Sequence, residues 1–262
     1  MEHIKTALVT GAASGLGYEL ALLLAKDGYH LILIDINSEQ LEVVKKELEL
    51  SFKIKTRIIT KDLSLQNCAL ELFEEVKETP IDILINNAGF GLFGPFYSTD
   101  WNRELSMLNL HVIATTQLTK LLLDDMIKKR RGKILNVSSL AAFQPGPLMS
   151  IYYASKAFIL SFSEAIANEL KGTGVTVTVL CPGQTKTSFQ EVVSEGNTTN
   201  KISFNIATAD KVALYGYKAM MSGKTLAIPG TINKFLSFLP RILPRNIATA
   251  IVRKIQQKNR ER

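Results

Sequence analysis

The chain has 262 residues and a mass of 29.0 kDa, and 46% of its residues are apolar. A chain of this size and composition can bury one large core, so intrinsically disordered and low-complexity classes are excluded. Its two cysteines are too few for a disulfide scaffold or a four-ligand zinc site, and we expect a reducing, cytoplasmic setting. The N-terminal residues lack the pattern of a signal peptide, and no run of about 18 apolar residues predicts a spanning helix.

The net charge of +7 is concentrated at the C-terminus. Residues 241–262 contain seven Lys or Arg and one Glu, so the preceding 240 residues carry only +1. A nucleic-acid-binding domain would spread its basic residues over one face of the fold. We therefore expect no nucleic-acid partner.

Short apolar runs alternate with segments of helical periodicity over the first 180 residues. The predicted strands are 4–9, 30–34, 54–60, 81–85, 133–138 and 174–180, and the predicted helices are 15–27, 38–50, 65–78, 100–128 and 151–171. Strands that are apolar along their whole length are typical of parallel sheets covered on both faces. The alternation predicts a doubly wound parallel sheet in a single three-layer α/β/α domain of Rossmann type.

Beyond Cys181 the pattern is looser, with a helix predicted at about 208–222 and a short strand at 225–228. The last segment, 231–258, has helical periodicity interrupted by Pro240 and Pro244. The predicted organisation is a nucleotide-binding and catalytic domain at 1–230 with a substrate insert at 184–224, followed by an apolar and then basic appendage at 231–262.

A glycine-rich turn, TGAASGLG at 10–17, lies between the first strand and the first helix. Gly11 permits a tight turn, Gly15 lets backbone amides approach a diphosphate, and Gly17 leaves room where helix and strand touch. The amides and dipole of the helix N-terminus would face the anion. The predicted cofactor-binding residues of this turn are Gly11, Ser14, Gly15, Leu16 and Gly17.

Asp35 ends the second strand, where its carboxylate can accept hydrogen bonds from the ribose hydroxyls of adenosine. A 2′-phosphate would meet a like charge there, and neither 12–14 nor 35–38 contains a Lys or Arg to receive it. Asp35 could instead cap the following helix, but Asn37 and Ser38 are available for that role. We therefore expect NAD as the cofactor in preference to NADP.

Three further motifs follow the ends of predicted strands: NNAG at 86–89, the pair Ser138 and Ser139, and Tyr152 with Lys156. Tyr152 and Lys156 are spaced i, i+4 on one helix face, where an ammonium would lower the pKa of the phenol from about 10. Taken singly, a Tyr–Lys pair is more often a surface pair, and serines in loops are often caps. Their common position at the carboxyl ends of parallel strands predicts one site.

With these motifs the chain resembles the short-chain dehydrogenase/reductase family from residue 5 to about 230. The family pattern TGxxxGxG corresponds to TGAASGLG at 10–17, YxxxK corresponds to YYASK at 152–156, and NNAG is unchanged at 86–89. The resemblance implies an NAD(P)-dependent oxidoreductase acting on CH–OH groups, with hydride transfer between the nicotinamide and an alcohol or carbonyl.

The resemblance also implies a role for each matched residue. Tyr152 is the general acid/base, Lys156 lowers its pKa and binds the nicotinamide ribose, and Ser139 polarises the carbonyl. Asn109 holds a relay water, although an asparagine inside a helix can also bond only locally. The implied cofactor residues beyond the glycine turn and Asp35 are Asp62, Leu63, Asn87, Ala88, Gly89, Tyr152, Lys156, Pro182, Gly183, Thr185 and Thr187.

The loops around the predicted site contain many apolar residues, as in FGLFGPF at 90–96 and AAFQPGPLM at 141–149. Phenylalanines in such loops can be ordinary packing, but their convergence favours an apolar pocket for a hydrophobic secondary alcohol or ketone. The candidate substrate residues are Phe93, Phe143, Met149 and Phe189. No metal site is expected, since His3, His30 and His111 lie outside the matched set and lack ligand spacing.

Three broader questions stay open at this point. A non-enzymatic NAD-binding sensor is the alternative function, although the intact Tyr, Lys and Ser positions favour an enzyme. The resemblance implies a homodimer or homotetramer paired through the helix at 100–128 and the helix that carries Tyr152. The basic tail could lie on a membrane surface, but we expect its apolar part to pack on the domain at the substrate side.

Overall fold

The computed structural model describes residues 5–186 and 207–258. Its strands are β1 (Thr6–Thr10), β2 (His30–Asp35), β3 (Thr56–Thr60), β4 (Ile83–Asn86), β5 (Gly132–Val137), β6 (Val175–Leu180), β7 (Thr185–Lys186), β8 (Ala207–Thr208) and β9 (Leu226–Ala227). Its α-helices are α1 (Gly15–Lys26), α2 (Ser38–Ser51), α3 (Cys68–Val76), α4 (Trp101–Leu108), α5 (Thr115–Lys128), α6 (Ser150–Glu169), α7 (Ala209–Met221), α8 (Thr231–Phe238) and α9 (Arg245–Lys258).

Seven strands form one parallel sheet in the order β3-β2-β1-β4-β5-β6-β9. Helices cover both of its faces, so the predicted doubly wound α/β fold is confirmed. The direction of winding reverses between β1 and β4, and ligands of such sheets bind outside the carboxyl ends of the strands at this point. Thr10 and Asn86 end these two strands.

The core has two layers because successive side chains of each buried strand point to opposite faces. On one face, Ala7 and Val9 of β1 pack with α1, α2 and α7. On the other face, Leu8 of the same strand packs with α3 and α5. All five residues of β1 are buried, as expected for a central parallel strand that is covered on both faces.

Helix α7 belongs to the first of these layers, although it falls within the insert predicted at 184–224. Its Val212 and Ala213 are buried in the same cluster as α1. The Tyr217 hydroxyl also donates a hydrogen bond to the Asp27 carboxylate at the end of α1. Helix α7 also packs against β5 and β6 of the sheet. This helix of the predicted insert is therefore part of the core domain.

The helix predicted at 100–128 is interrupted by a π-helical turn at Asn109–Ala114, between α4 and α5. Such a turn holds one more residue than an α-helical turn, so it rotates the side chains that follow it. Near the C-terminus, a 3₁₀ turn at Leu239–Arg241 contains Pro240 and separates α8 from α9. Within the described ranges, no helix combines the length and the apolar character needed to cross a membrane.

Candidate active site

The N-terminus of α1 forms one end of a cavity of about 750 Å³. Ser14 precedes the helix in extended conformation, and neither a capping side chain nor an acidic residue occupies the first turn. The first amides of an α-helix have no partners within the helix, so they can bind an anion. Ser14, Gly15 and Leu16 line the cavity at this end.

The glycine turn packs so closely that side chains would not fit. Gly11 has a φ of +65°, and a Cβ atom added at Gly17 would lie 1.9 Å from the Gly11 carbonyl oxygen. Asn87, which follows β4, fixes the turn because its Nδ2 donates to the carbonyls of Thr10 and Gly11, both at 3.0 Å. The residues present therefore fit the diphosphate of a dinucleotide.

Asp35 lies at the next part of the cavity wall, at the end of β2. Its Oδ2 accepts a hydrogen bond from the Ala13 amide at 3.0 Å, and its Oδ1 accepts one from the Asn37 amide at 3.1 Å. Helix α2 is capped by Asn37, whose side chain accepts from the Gln40 amide. Asp35 is therefore not needed as the cap, and its oriented carboxylate faces the cavity.

Most of the predicted cofactor residues line this one cavity. Gly17 does not, because it is buried behind the turn, and Thr187 lies outside the described residues. The predicted residues that line it are Gly11, Ser14, Gly15, Leu16, Asp35, Asp62, Leu63, Asn87, Ala88, Gly89, Tyr152, Lys156, Pro182, Gly183 and Thr185.

Buried amide side chains hold the strand ends below the cavity. Asn86 Nδ2 donates to Thr119 Oγ1 of α5 at 3.1 Å and to Asn136 Oδ1 of β5 at 2.9 Å. Asn136 Nδ2 in turn donates to Ser163 Oγ of α6 at 2.9 Å. The first asparagine of NNAG is thus structural, and this network fixes α6 against β5.

Ser139, Tyr152 and Lys156 meet at the cavity wall formed by β5 and α6. Ser139 hydrogen-bonds with the Tyr152 side chain, and Lys156 Nζ lies 5.8 Å from the centroid of the Tyr152 ring. Lys156 Nζ also donates to the Val137 carbonyl at 3.0 Å. The structure therefore brings together three of the four predicted catalytic side chains.

The pKa of Tyr152, which Lys156 was expected to lower, is raised overall in this structure. Burial raises the pKa of Tyr152 to about 12, and the hydrogen bond with Ser139 acts in the opposite direction. Burial also lowers the pKa of Lys156 to about 8. Removal from water is thus the larger effect on both groups.

Asn109, the fourth predicted residue, does not join this group. Its Nδ2 donates to the Ser64 carbonyl at 3.0 Å, and it lines a separate cavity of about 450 Å³ beside Leu65 and Ile113. Asn109 and His111 are two residues apart in a helical segment, so their side chains point to different sides of it. The bond joins Asn109 to a loop 45 residues earlier in the chain, so it is not the local helix bond that the sequence left open.

His111 occupies the place next to Lys156 that was expected for Asn109. It is fully buried, and a Cβ atom added at Gly89 would lie 2.7 Å from His111 Nε2 and 3.5 Å from Lys156 Nζ. The His111 and Tyr152 rings meet edge to face with centroids 5.9 Å apart. The sequence offered one signal for this residue, an imidazole inside the otherwise apolar run LHVIA.

The hydrogen bonds of His111 fix its protonation state. The Phe90 amide donates to Nε2 at 3.2 Å, so Nε2 carries no proton, and Nδ1 lies 2.9 Å from Ser155 Oγ. Ser155 Oγ donates to the Tyr152 carbonyl at 2.8 Å, so it accepts from Nδ1. Burial and the Lys156 charge hold the pKa of His111 well below 6.5. Neutral His111 thus ties the loop after NNAG to α6.

The predicted substrate residues fall into different places. Met149 lines the cavity, and Phe93 packs beside it in an apolar cluster with Tyr153 and Val252 of α9. Phe143 instead packs against a cluster formed by α6, β6 and residues near β9, so it does not line the cavity. Phe189 lies outside the described residues.

Two residues of α9, Ile255 and Gln256, also line the cavity. Gln256 Nε2 donates to the Tyr153 hydroxyl at 2.7 Å, which holds the helix beside the catalytic group. This agrees with the expectation that the tail packs at the substrate side. Neither residue was singled out from the sequence, because periodicity shows an apolar face without showing what it packs against.

Comparison with known proteins identifies a family. A sequence profile described as short chain dehydrogenase matches residues 5–198. Hydroxysteroid dehydrogenase-like protein 1 of Gallus gallus is 33% identical over 229 residues, covering 86% of this chain and 68% of that protein. The very-long-chain 3-oxoacyl-CoA reductase of Rattus norvegicus is 30% identical over 240 residues, covering 90% of this chain and 75% of that protein. The chain therefore spans only part of the length of these relatives.

Solved structures share the fold. An alcohol dehydrogenase of Comamonas testosteroni, specific for bulky-bulky ketones, superposes with a TM-score of 0.79 and 26% identity, covering 91% of both chains. A short-chain dehydrogenase of Sphingobium yanoikuyae in complex with NADPH gives a TM-score of 0.81 at 24% identity, covering 92% and 97%. A short-chain dehydrogenase/reductase of Burkholderia phymatum in complex with NAD gives 0.79 at 22% identity, covering 91% and 93%.

Proposed function

This chain belongs to the short-chain dehydrogenase family, and we propose that it is an NAD-dependent oxidoreductase that interconverts hydrophobic secondary alcohols and ketones. The observation that carries the proposal is the meeting of Ser139, Tyr152 and Lys156 at one wall of the cavity. The same cavity extends to the glycine turn at Gly11 and to Asp35. One ligand could therefore reach from the dinucleotide cradle to the acid–base group.

In the proposed reaction, the bound nicotinamide supplies or accepts the hydride. The Tyr152 phenol is protonated at neutral pH, because burial raises its pKa to about 12, and this form can donate a proton to a ketone oxygen. Ser139 Oγ accepts from the Ala141 amide at 3.1 Å, which holds the hydroxyl in place to donate to the same oxygen. Lys156, held by the Val137 carbonyl, places a charge that would stabilise the phenolate left after transfer.

The preference for NAD is proposed from Asp35. Its carboxylate is fixed by the amides of Ala13 and Asn37 and faces the cavity, so a 2′-phosphate bound there would meet a like charge. No Lys or Arg lies at 12–14 or 36–38 to offset that repulsion. Structures of this fold are known with NADPH and with NAD, so the fold alone does not determine the cofactor. The proposed preference for NAD therefore depends on Asp35 and its neighbours.

A bulky apolar carbonyl compound is the proposed substrate. Met149 and Ile255 line the cavity near Tyr152, and Phe93 packs beside Met149. Similar proteins support the same class of substrate, since they include a hydroxysteroid dehydrogenase-like protein, a very-long-chain 3-oxoacyl-CoA reductase and a bulky-ketone alcohol dehydrogenase. Their substrates differ, so this support extends to the class of compound.

The test of function compares two neighbouring tyrosines. Tyr152→Phe should lower the turnover of NADH with a panel of bulky ketones by about 100-fold or more, while NADH binding measured by fluorescence is retained. Tyr153→Phe is the matched control, because it removes a neighbouring tyrosine hydroxyl that accepts from Gln256, and it should keep most of the turnover. NADH binding without turnover across the panel would instead favour the non-enzymatic sensor.

The test of cofactor preference uses two acidic residues. The wild type should have a KM for NADH lower than that for NADPH by about ten-fold or more, and Asp35→Asn should reduce this ratio by removing the repulsion. Glu39→Gln removes the same charge from the exposed first turn of α2 and should leave the ratio unchanged. Tighter binding of NADPH by the wild type contradicts the role given to Asp35.

A further inference from the structure

Exposed apolar side chains are concentrated in the C-terminal helices. Among the described residues, 21 large apolar side chains are exposed, and eight of them lie within 231–258. Single exposed apolar residues are normal on a protein surface, whereas a concentration marks an interaction site. The eight residues are Ile232, Phe235, Leu236, Phe238, Ile242, Ile247, Ile251 and Ile255.

Helix α9 is already anchored through its other face. Ala248 and Val252 are buried, and Gln256 donates to Tyr153 at the cavity. Ile247 and Ile251, spaced i, i+4, form a separate stripe that remains about half exposed. The expectation that the apolar part of the tail packs on the domain is therefore met by one stripe of α9 and not by the other.

Helix α8 and the turn after it are more exposed still. Phe235 is 62% exposed, Phe238 is 54% exposed and Ile242 is 64% exposed. Helix α8 packs against the turn Leu140–Phe143, and Leu140 of that turn lines the cavity. Helix α9 therefore lines the cavity and α8 packs on a turn that borders it, and both helices leave apolar side chains in solvent.

The charges among these side chains are all positive. Residues 231–258 contain no Asp or Glu, so only cations accompany the apolar stripe. A second copy of the chain would place these cations against one another, whereas an anionic surface complements them. The cations are Lys234, Arg241, Arg245, Arg253, Lys254 and Lys258.

We propose that α8 and α9 form a docking surface for an anionic lipid bilayer, with Phe and Ile side chains in the interface and Lys and Arg side chains on the headgroups. Amphipathic basic helices bind membranes in this way, through apolar burial together with attraction to anionic lipid. Because Ile255 also lines the cavity, the cavity of the docked protein would face the lipid bilayer. This consequence rests on the proposed apolar substrate.

The test is co-sedimentation of the full chain with vesicles of phosphatidylcholine, alone or mixed with phosphatidylglycerol. We expect binding to the mixed vesicles, and its weakening between about 50 and 500 mM salt. Lys254→Gln with Lys258→Gln should weaken binding by roughly five-fold for each cation removed. Lys211→Gln with Lys218→Gln removes the same charge from exposed positions of α7 and should change nothing.

Apolar contact is tested by Ile247→Asp with Ile251→Asp, which should abolish vesicle binding. Leu50→Asp, at an exposed site on α2, is the matched control. NADH binding should be unchanged in all variants, which shows that they fold and separates this proposal from the catalytic one. Absence of binding to anionic vesicles overturns the proposal. A dimer mass by light scattering that Ile247→Asp with Ile251→Asp reduces to the monomer mass overturns it as well, because these residues would then join two chains.

Discussion

Lys156 is an ammonium that the fold keeps out of water. Burial lowers its pKa from 10.5 to about 8, and its Nζ donates a hydrogen bond to the Val137 carbonyl. The ammonium beside Tyr152 stays charged at neutral pH, and its removal from water lowers the free energy of unfolding, as is common for charged groups in functional sites. This loss of stability depends on pH.

Between pH 8 and 10.5 the unfolded chain holds a proton on Lys156 that the folded chain lacks, so the free energy of unfolding rises with pH across this window. We expect the wild type to gain on the order of 3 kcal/mol relative to Lys156→Met over this range. Urea denaturation of both proteins at several pH values measures the difference. Parallel curves would show that Lys156 titrates normally in the folded protein.

His111 acts through its two hydrogen bonds, to the Phe90 amide and to Ser155. His111→Leu leaves the Phe90 amide without its acceptor and Ser155 Oγ without its donor, and it should lower the free energy of unfolding by about 1–3 kcal/mol. Ser155→Ala should cost less in the His111→Leu background than in the wild type, by about 1 kcal/mol. The double-mutant cycle is measured by urea denaturation. Strict additivity would mean that the two side chains do not interact.

At the scale of elements, the sequence predicts most of the fold. Strand β2 contains a continuous apolar run, and a short run of that kind between amphipathic helices predicts a buried strand. The pair Tyr152 and Lys156 could be placed together because the i, i+4 spacing fixes one face of any helix. These inferences depend only on local geometry.

The errors of prediction concern the directions of side chains. Asn109 was assigned by resemblance to the family, and a match of residue types does not show which polar residue of LNLHV faces Lys156. His111, two residues further on, faces the other side of the helix and lies beside Lys156. Phe143 was placed in the pocket because its loop lies near Tyr152, but a loop sequence does not determine which way its side chains face.

The glycine turn gives a prediction for the first strand–helix unit. A Cβ atom at Gly17 would lie 1.9 Å from the Gly11 carbonyl oxygen, which is backbone and cannot move without the turn. Gly17→Ala should lower the free energy of unfolding by about 1–3 kcal/mol and should weaken NADH binding measured by fluorescence.

Gly172→Ala is the control for backbone strain in that experiment. Gly172 has a φ of +81° and open space around its Cα, so only the conformational cost of about 1 kcal/mol applies. Its NADH affinity should equal that of the wild type. Equal NADH affinity for Gly17→Ala would instead show that the close packing of α1 on the turn does not shape the cofactor site.

At the scale of the whole molecule, a second exposed apolar face lies on the helices α4 and α6. Leu105, Ile113 and Phe158 are exposed there, and Phe158 stacks on Phe162 with ring centroids 5.8 Å apart. Helix α6 packs against α4 and the π-helical turn, so these residues belong to neighbouring elements. Unlike the C-terminal helices, α6 carries exposed acids, Glu164 and Glu169, so the two surfaces differ in charge.

We expect this face to pair two copies of the chain, because a symmetric interface buries the same apolar patch on both partners. Light scattering of the wild type should give at least twice the chain mass of 29.0 kDa. Phe158→Asp should lower that mass by placing a like-charged pair in the interface, whereas Leu50→Asp should not. Ile247→Asp with Ile251→Asp should leave the mass unchanged, since those residues belong to the lipid-docking surface. A monomeric wild type would show that the α4–α6 face does not pair.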